Sequence, residues 1–454
     1  MTKIQSINPY NLELNTEYEL FTDEIIDEKI ALAHEAFLQW KDTSFEDRKV
    51  LFLKLADVIE ADMEKYARLQ TIEMWMLYNA SLAWMNSTVN LVRWYGENAG
   101  RILKDEEFTE YGTNGKYIYD PLGVIFGIWP WNFPYNQILR AAIANIIAGN
   151  TVVYKHASNV PMCAEQLEKF FIDAWFPIWI YTNLFISASK SEYVIANKHI
   201  RWINLTGWEA AGRTIGALAW KYLKPSVLEL WWNDAFVLLD HSDTAKMVAD
   251  ATACRIANGW QKCNSSKRFI ILEKHYDNFV TEIWKYMSNL VVWDPMDKTT
   301  QIPPLAKQSL VQELDNQVQK SIWEWARLIT WWKIIWDKWQ FYAPTVLADV
   351  TKDMTCYKEE TFWPVMNIIK SSSIEESIRI ANDSDLWLSA VVYGDDIEQC
   401  KQVASKLEWW MIFINAPAWS KPHLPFWWVK NSWYWKENWA EWLKSFTNKK
   451  VVVY

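Results

Sequence analysis

The sequence predicts an α/β protein built from two open sheets of mostly parallel strands. Short apolar runs alternate with helix-length segments along much of the 454 residues. Such alternation is typical of parallel strands joined by crossover helices. The runs form two series, which predicts two α/β domains. The first series comprises GVIFGI (123–128), TVVY (151–154), NLFIS (183–187), INLT (203–206) and VLEL (227–230). The second comprises RFIIL (268–272), PVMNII (364–369), SAVVYG (389–394) and MIFIN (411–415).

The remaining segments predict helices before the sheets and a small β element. Residues 24–78 are expected to be helical, because apolar residues between 51 and 63 recur at steps of three and four. The polar stretch 103–121 contains Asn114-Gly115, which is a signal for a hairpin turn. The chain ends in KKVVVY, a predicted strand whose lone edge would be unprotected. Pairing with another subunit is one way to satisfy that edge.

Composition and charge exclude several classes of protein. The chain is 51% hydrophobic and 22% charged, as expected for a globular protein. Its net charge of −9 argues against non-specific binding to nucleic acid or to an acidic membrane surface. The five cysteines are widely spaced and none lies in a CxxC pair, so neither a disulfide framework nor a metal site is expected. The polar N-terminus and the lack of a membrane-length apolar run predict a cytoplasmic protein.

Cys263, in the segment NGWQKCNSS, is the candidate nucleophile. The small polar residues after it predict the start of a helix. The positive end of a helix dipole lowers the pKa of a thiol and favours the reactive thiolate. The alternative is a buried cysteine that packs as a small hydrophobic side chain. On local sequence alone both interpretations stay open.

Two further residues are candidates for the chemical step. Glu229 ends an apolar strand in KPSVLELWWND, where burial would raise the pKa of its carboxyl and suit it to act as a general base. A strand-end carboxylate in a salt bridge is the alternative. Asn132, in PWNFP, follows the run at 123–128, and its amide can donate to a developing oxyanion. An ordinary turn residue is the alternative for Asn132.

Three residues are candidates for binding a cofactor. Lys155 directly follows the run at 151–154, where a cation suits cofactor hydroxyls or phosphate. An exposed lysine without such a role is the alternative. Glu360 and Phe362, in KEETFWP, can hold a ribose and pack against a flat ring. A solvated run of charges around Glu360 is the alternative there.

Together these motifs resemble the aldehyde dehydrogenase superfamily. PWNFP, a strand-end lysine, LTGxxxxG, LELxx, GxQxC and EExFxP occur in the order and spacing of that family. The closing region PFWWVKNSWYWKE looks like its PFGGxKxSGxGxE. The resemblance covers essentially the whole chain, and within the family it is most similar to the short bacterial succinate-semialdehyde dehydrogenases. It implies a dinucleotide-binding domain of residues 1–102 and 122–229, a catalytic domain of 230–430, and an oligomerisation element of 103–121 and 431–454 in a homodimer or homotetramer.

The resemblance implies NAD(P)-dependent oxidation of an aldehyde, with succinate semialdehyde as the expected substrate. Cys263 would attack the aldehyde to form a thiohemiacetal, and Asn132 with the backbone N–H of Cys263 would stabilise the oxyanion. Glu229 would activate the water that hydrolyses the resulting thioester. Arg140 would bind the substrate carboxylate, although a salt bridge on the helix surface is an equal alternative. A second arginine found in some relatives is absent, because position 257 is Ala.

For the cofactor, the resemblance implies that Glu360 holds the nicotinamide ribose and that Phe362 packs near its ring. Lys155 would bind the adenosine ribose, and Trp131 would line the channel. NAD-preferring relatives usually carry Glu where this chain has Ser158. A carboxylate would repel a 2′-phosphate whereas a hydroxyl accepts one, so NADP is expected to be preferred over NAD. No metal is implied.

Two other functions stay open. An acylating relative would release the thioester to a different acceptor, but Glu229 argues against this because it supplies the hydrolytic base. A catalytically inactive family member with a structural or binding role is the alternative outside enzymes. It is suggested by the departures of the chain from its family.

The main departure is the use of tryptophan where the family has glycine. The chain has 33 Trp and 12 Gly. Such positions include Trp231, Trp232, Trp260, Trp363, Trp387, Trp409, Trp410, Trp427, Trp428, Trp433 and Trp435. After Gly207, Trp208 would fill the space where a helix start meets the cofactor pyrophosphate. A bulky residue at a positive-φ position costs about 1–2 kcal/mol, so the family fold is not expected to survive unless loops rearrange. Either the chain is a modified or mis-recorded form of an ordinary member, which we favour, or it is a degenerate relative.

Overall fold

Two sheets of mainly parallel strands dominate the computed structural model. The described residues are 2–230, 232–256, 262–330, 340–362, 364–425, 429–430, 432–434 and 439–454, with only the backbone described for 429, 430, 433, 434 and 439. Within these ranges no helix has both the length and the apolar character needed to cross a membrane.

The α-helices are α1 (Asp23–Trp40), α2 (Phe45–Ala61), α3 (Met63–Met74), α4 (Tyr78–Ile102), α5 (Asn136–Ile147), α6 (Pro161–Asp173), α7 (Ser191–Ala196), α8 (Glu209–Lys221), α9 (Thr244–Ile256), α10 (Glu273–Ser288), α11 (Gln308–Trp323), α12 (Thr355–Lys358), α13 (Ile374–Asn382), α14 (Ile397–Ala404) and α15 (Trp439–Ser445). The strands are β1 (Lys3–Ile7), β2 (Leu14–Glu19), β3 (Glu106–Glu110), β4 (Thr113–Pro121), β5 (Val124–Ile128), β6 (Thr151–Lys155), β7 (Tyr181–Asn183), β8 (Ile200–Thr206), β9 (Ser226–Glu229), β10 (Ala235–Leu238), β11 (Arg268–Leu272), β12 (Arg327–Leu328), β13 (Thr345–Ala348), β14 (Val365–Ser371), β15 (Leu386–Trp387), β16 (Ser389–Tyr393), β17 (Met411–Ile414), β18 (Val429–Lys430), β19 (Trp433–Tyr434) and β20 (Thr447–Val453).

The first large sheet has the strand order β19-β9-β8-β5-β6-β7. Strands β5 to β9 run parallel, and β19 adds an antiparallel edge. Every residue of β6 is buried, as expected for a strand whose sheet is covered by helices on both faces. Since the carboxyl ends of parallel strands meet at one edge, the chain segments that follow β5, β6, β8 and β9 converge there.

The second large sheet has the strand order β12-β13-β14-β11-β10-β16-β17. Its strands pair in parallel except for β12 at one edge. All four runs of the second predicted series form strands, namely β11, β14, β16 and β17. The predicted fold class, two open α/β sheets with a small β element, is therefore confirmed. The domain bounds proposed from the sequence stay a prediction.

One predicted strand is misplaced. The run NLFIS at 183–187 is not a strand, because β7 ends at Asn183. The backbone N–H of Leu184 still donates to the carbonyl of Tyr154, at 2.8 Å, before the chain leaves the sheet. The apolar side chains that suggested a strand are buried there without ladder pairing, as Leu184 and Ile186 illustrate.

The third sheet, with the order β20-β4-β3, corrects two expectations. The hairpin turn lies at Tyr111-Gly112 and not at Asn114-Gly115, because Glu110 pairs with Thr113. Both turn residues have positive φ, 50° and 78°, as a two-residue hairpin of the favoured hand requires. The C-terminal strand is not lone either: β20 pairs antiparallel with β4 over its whole length within the same chain.

Four tryptophans adopt the left-handed backbone that favours glycine. Their φ angles are 70° at Trp75, 66° at Trp175, 75° at Trp179 and 82° at Trp325. Each costs about 1–2 kcal/mol relative to glycine. Both large sheets nevertheless form within the described residues. Disruption by tryptophan was expected only if the loops do not rearrange, and it stays a prediction. Six of the positions named above, Trp231, Trp260, Trp363, Trp427, Trp428 and Trp435, lie outside the described residues.

Candidate active site

Two cavities meet at the carboxyl edge of the first sheet. The larger, here called the sheet-edge cavity, has a volume of about 550 Å³. The smaller, here called the side cavity, has a volume of about 340 Å³. Cys263 and Gln137 line both cavities. The candidate nucleophile therefore lies where two separate ligands can approach it.

Glu229 is completely buried at the end of β9. Its Oε2 accepts hydrogen bonds from Thr206 Oγ1 at 3.0 Å and from Gln137 Nε2 at 3.3 Å. Arg140 Nη2 forms an ion pair with the same oxygen at 3.4 Å. Because β9 carries the carboxylate, β8 supplies one of these contacts and α5 supplies the other two, the sheet and its crossover helix fix the carboxylate in place. The sequence prediction of a buried strand-end carboxylate is confirmed, and the predicted salt bridge also exists.

Cys263 is partly buried, but it does not begin a helix as its neighbours suggested. Residues 263–265 form a turn, and the chain enters β11 at Arg268. Burial and the nearby Glu229 charge raise the pKa of the Cys263 thiol to about 12, while Lys267 opposes them. The expected lowering of the thiol pKa by a helix dipole is therefore wrong. Besides Lys267, the charges of Arg140 and Lys262 act to lower this pKa.

Lys267 connects the cysteine to Glu360. Its Nζ donates to the backbone carbonyl of Cys263 and forms an ion pair with Glu360 Oε1 at 2.9 Å. Burial raises the pKa of the Glu360 carboxyl, and the Lys267 charge counteracts this. Both side chains are buried, so this pair holds the cysteine turn against the segment after α12. The sequence analysis missed Lys267, although a lysine four residues after the nucleophile was a visible signal.

Asn132 and Arg140 lie on either side of the boundary between the cavities. Asn132 is buried and lines the sheet-edge cavity, while Arg140 lines the side cavity. The Arg140 side chain is only 11% exposed and pairs with Glu229. The salt bridge considered as the alternative for this residue therefore exists, but it is buried and does not lie on the helix surface. Gln137 and Thr206 also contact Glu229 and were missed, because their partner lies 23 residues or more away in sequence.

The far end of the sheet-edge cavity carries two lysines. Lys155, at the end of β6, is buried, and its Nζ donates to the carbonyl of His156 at 3.1 Å. Burial, together with the charge of Lys307, lowers the pKa of Lys155 to about 8. Ser158 lines the same cavity and is exposed. A cation and a hydroxyl thus face one space at the end of a parallel strand.

Aromatic residues form other walls of this cavity. The rings of Trp131 and Phe362 meet edge to face with centroids 6.3 Å apart. Gly207 and Trp208 precede α8, and Trp208 is its N-cap without a side-chain hydrogen bond. Trp208 is 58% exposed and lines the sheet-edge cavity at the start of α8. The expectation that it fills the space of a cofactor pyrophosphate stays a prediction.

A candidate nucleophile, a buried carboxylate, an amide and a strand-end lysine thus lie in or beside the two cavities. The model of the aldehyde dehydrogenase family matches residues 1–452. The chain belongs to this family and is an aldehyde dehydrogenase.

Individual members of the family are similar to the chain over nearly its whole length. The chain is 34% identical to "Succinate-semialdehyde dehydrogenase [NADP(+)] 1" of Mycobacterium tuberculosis over 452 residues, which is 99% of each protein. It is 33% identical to "Succinate-semialdehyde dehydrogenase [NADP(+)]" of Deinococcus radiodurans, over 98% of this chain and 94% of the relative. Among solved structures, succinic semialdehyde dehydrogenase from Streptococcus pyogenes in complex with NADP+ is similar with a TM-score of 0.96 and 34% identity, over 99% of each chain.

Proposed function

We propose that this enzyme oxidises succinate semialdehyde to succinate with NADP as the preferred cofactor and NAD as a poorer one. The observation that carries the proposal is the charge of the side cavity. Arg140, Lys262 and Lys421 line it, and no Asp or Glu is among its described lining residues. Cys263 is in its wall. An aldehyde that carries a carboxylate therefore suits this cavity better than a neutral or cationic aldehyde.

The proposed mechanism begins at the Cys263 thiol. Because its pKa is raised to about 12, its proton must move to a base as the sulfur attacks the aldehyde carbon. The attack gives a thiohemiacetal, and we assign stabilisation of its oxyanion to the Asn132 amide and the backbone N–H of Cys263. The nicotinamide, when bound, accepts the two electrons and the hydrogen that leave this carbon. Glu229 then takes a proton from the water that hydrolyses the remaining thioester, which releases the acid and restores the thiol.

The sheet-edge cavity fits a phosphorylated dinucleotide. Lys155 is a buried cation whose described hydrogen-bond partner is a neutral carbonyl. The N-cap of α8 has no side-chain hydrogen bond, so the first backbone N–H groups of the helix suit a phosphate. Glu360 would hold the nicotinamide ribose beside Trp131 and Phe362. The Ser158 hydroxyl would donate a hydrogen bond to a 2′-phosphate, which a carboxylate at this position would repel.

Steady-state kinetics with purified enzyme test this function. Reduced cofactor would be followed by absorbance with succinate semialdehyde and with butanal, an uncharged aldehyde of the same chain length. We expect kcat/KM to be at least about tenfold higher for the acidic aldehyde, the effect of one ionic contact. Equal values for the two aldehydes would refute the proposed substrate. Product formation that requires an added thiol acceptor would identify the acylating alternative.

Assembly and location complete the proposal. Val451 and Val453, on the edge strand β20, are 54% and 61% exposed, and an exposed apolar edge favours pairing with a second copy. We propose a homodimer or homotetramer, which light scattering on the purified protein would test. A single-subunit mass would refute it. A cytoplasmic location belongs to the same proposal.

A further inference from the structure

Lys262 directly precedes the nucleophile and lines the side cavity. Of the other two cations there, Arg140 is paired with Glu229 at 3.4 Å, and Lys421 is exposed. Part of the Arg140 charge is therefore already neutralised inside the protein. A substrate carboxylate would be bound more tightly by a further cation that lines this cavity and is less exposed than Lys421.

The contacts of Lys262 leave its charged group available to a ligand. Its Nζ donates to the backbone carbonyl of Ala418 at 2.8 Å, which leaves two of its three N–H donors for a ligand. Among the described residues no carboxylate lies within ion-pair distance of this nitrogen. Burial lowers the pKa of Lys262, and a carboxylate bound beside it would compensate for the lost solvation.

We propose that Lys262 is the second cation that binds the distal carboxylate of the aldehyde, together with Arg140. This inference rests on the proposed function, because it assumes an acidic aldehyde. It also accounts for Ala257, where some relatives carry an arginine. The missing positive charge is supplied five residues later, next to Cys263.

Substrate discrimination tests this assignment. Lys262→Met keeps the length of the side chain and removes its charge, and Lys262→Arg keeps the charge. We expect Lys262→Met to lower the ratio of kcat/KM for succinate semialdehyde to that for butanal about tenfold or more, because one charge-assisted hydrogen bond is lost. Lys262→Arg should restore most of the ratio. Lys421→Met, the matched change at the exposed lysine, should lower the ratio less than about threefold.

Alkylation of Cys263 in the cofactor-free enzyme can be measured even in a variant that has lost turnover. Iodoacetate carries a carboxylate and iodoacetamide does not, so the ratio of their rates at Cys263 reports the cation. We expect the rate with iodoacetate relative to that with iodoacetamide to fall in Lys262→Met and to stay unchanged in Lys262→Arg. If wild type prefers the acidic aldehyde but Lys262→Met leaves both ratios unchanged, the role of Lys262 is refuted while the proposed function stands. If the wild-type enzyme does not prefer succinate semialdehyde over butanal, the proposed function is refuted, and this inference, which rests on it, is refuted as well.

Discussion

The two cavities that meet at Cys263 differ in charge. The sheet-edge cavity carries both signs, with Lys155 and Lys307 as well as Glu313 and Glu360 among its lining residues. The side cavity carries cations and no described carboxylate. A ligand with ribose hydroxyls and phosphates needs both acceptors and cations, whereas a small acidic aldehyde needs cations alone. On the proposed function, the sheet-edge cavity therefore suits the cofactor and the side cavity suits the aldehyde, with Cys263 in the wall of both.

The largest expected effect comes from changing Cys263, which lines both cavities. Cys263→Ser should abolish detectable oxidation of every aldehyde, because a hydroxyl is a far weaker nucleophile than a thiolate. Cys254→Ser is the matched control, since Cys254 is buried on α9 and lines neither cavity. Absorbance of the reduced cofactor measures the effect. If Cys263→Ser retained turnover, Cys263 would not be the nucleophile.

A change confined to the sheet-edge cavity should affect the cofactor and not the aldehyde. Ser158→Glu should raise the dissociation constant of NADP about tenfold or more, because its carboxylate repels the 2′-phosphate. Binding of NAD and the KM for the aldehyde should change less than about threefold. Ser158→Ala is the control for loss of the hydroxyl alone. Fluorescence titration with each dinucleotide measures the effect, and equal losses for NADP and NAD would contradict it.

The pH dependence of NADP binding tests the sheet-edge cavity alone. Lys155 has a pKa lowered to about 8 in the cofactor-free protein, so it is charged below that pH and neutral above it. Affinity for NADP should therefore be constant near pH 7 and fall as pH rises through about 8. Lys155→Met should bind NADP more weakly at pH 7 and lose this pH dependence. A wild-type affinity that stays constant to pH 9 would contradict the assignment.

The smallest effect concerns neither cavity. Trp325 has a φ of 82° and is 87% exposed, so Trp325→Gly should raise the free energy of unfolding by about 1 kcal/mol through release of backbone strain. Trp220, which is 79% exposed inside α8, provides the matched control. Trp220→Gly should lower stability by about 0.5 kcal/mol, because glycine disfavours a helix more than tryptophan does. Urea denaturation measures both, and the same sign for both would contradict the account.

Tryptophan in a glycine conformation also bears on the origin of the chain. The left-handed backbone at Trp75, Trp175, Trp179 and Trp325 is the one that glycine adopts without strain. This favours the explanation that the chain is a modified or mis-recorded form of an ordinary family member. Intact mass of the protein from its source shows how many tryptophans replace glycine, and peptide mass analysis shows whether these positions are among them.

Much of the fold was predictable because the signals are local. The apolar runs located β5, β6, β8 and β9, and strand ends placed Lys155 and Glu229 at one sheet edge. The hairpin was misplaced because two turn signals lie close together. Tyr111-Gly112 provides the two positive φ angles, whereas an added Cβ at Gly115 would come 2.6 Å from the carbonyl of Val452.

The candidate site was less predictable, because its contacts join distant segments. Glu229 and Cys263 could be found from motifs, but the link from Lys267 to Glu360 joins two loops of the folded chain. The raised pKa of Cys263 likewise depends on burial and on Glu229, which no local pattern records. Local sequence instead suggested a helix start, and that prediction was wrong.

Trapping the acyl group on the enzyme tests the central claim that Cys263 carries the substrate and Glu229 releases it. Glu229→Gln would be mixed with NADP and succinate semialdehyde, followed by peptide mass analysis. We predict one equivalent of reduced cofactor per site, very slow turnover afterwards, and a succinyl adduct on the peptide that contains Cys263. An adduct on another cysteine, or steady turnover at the wild-type rate, would contradict the account.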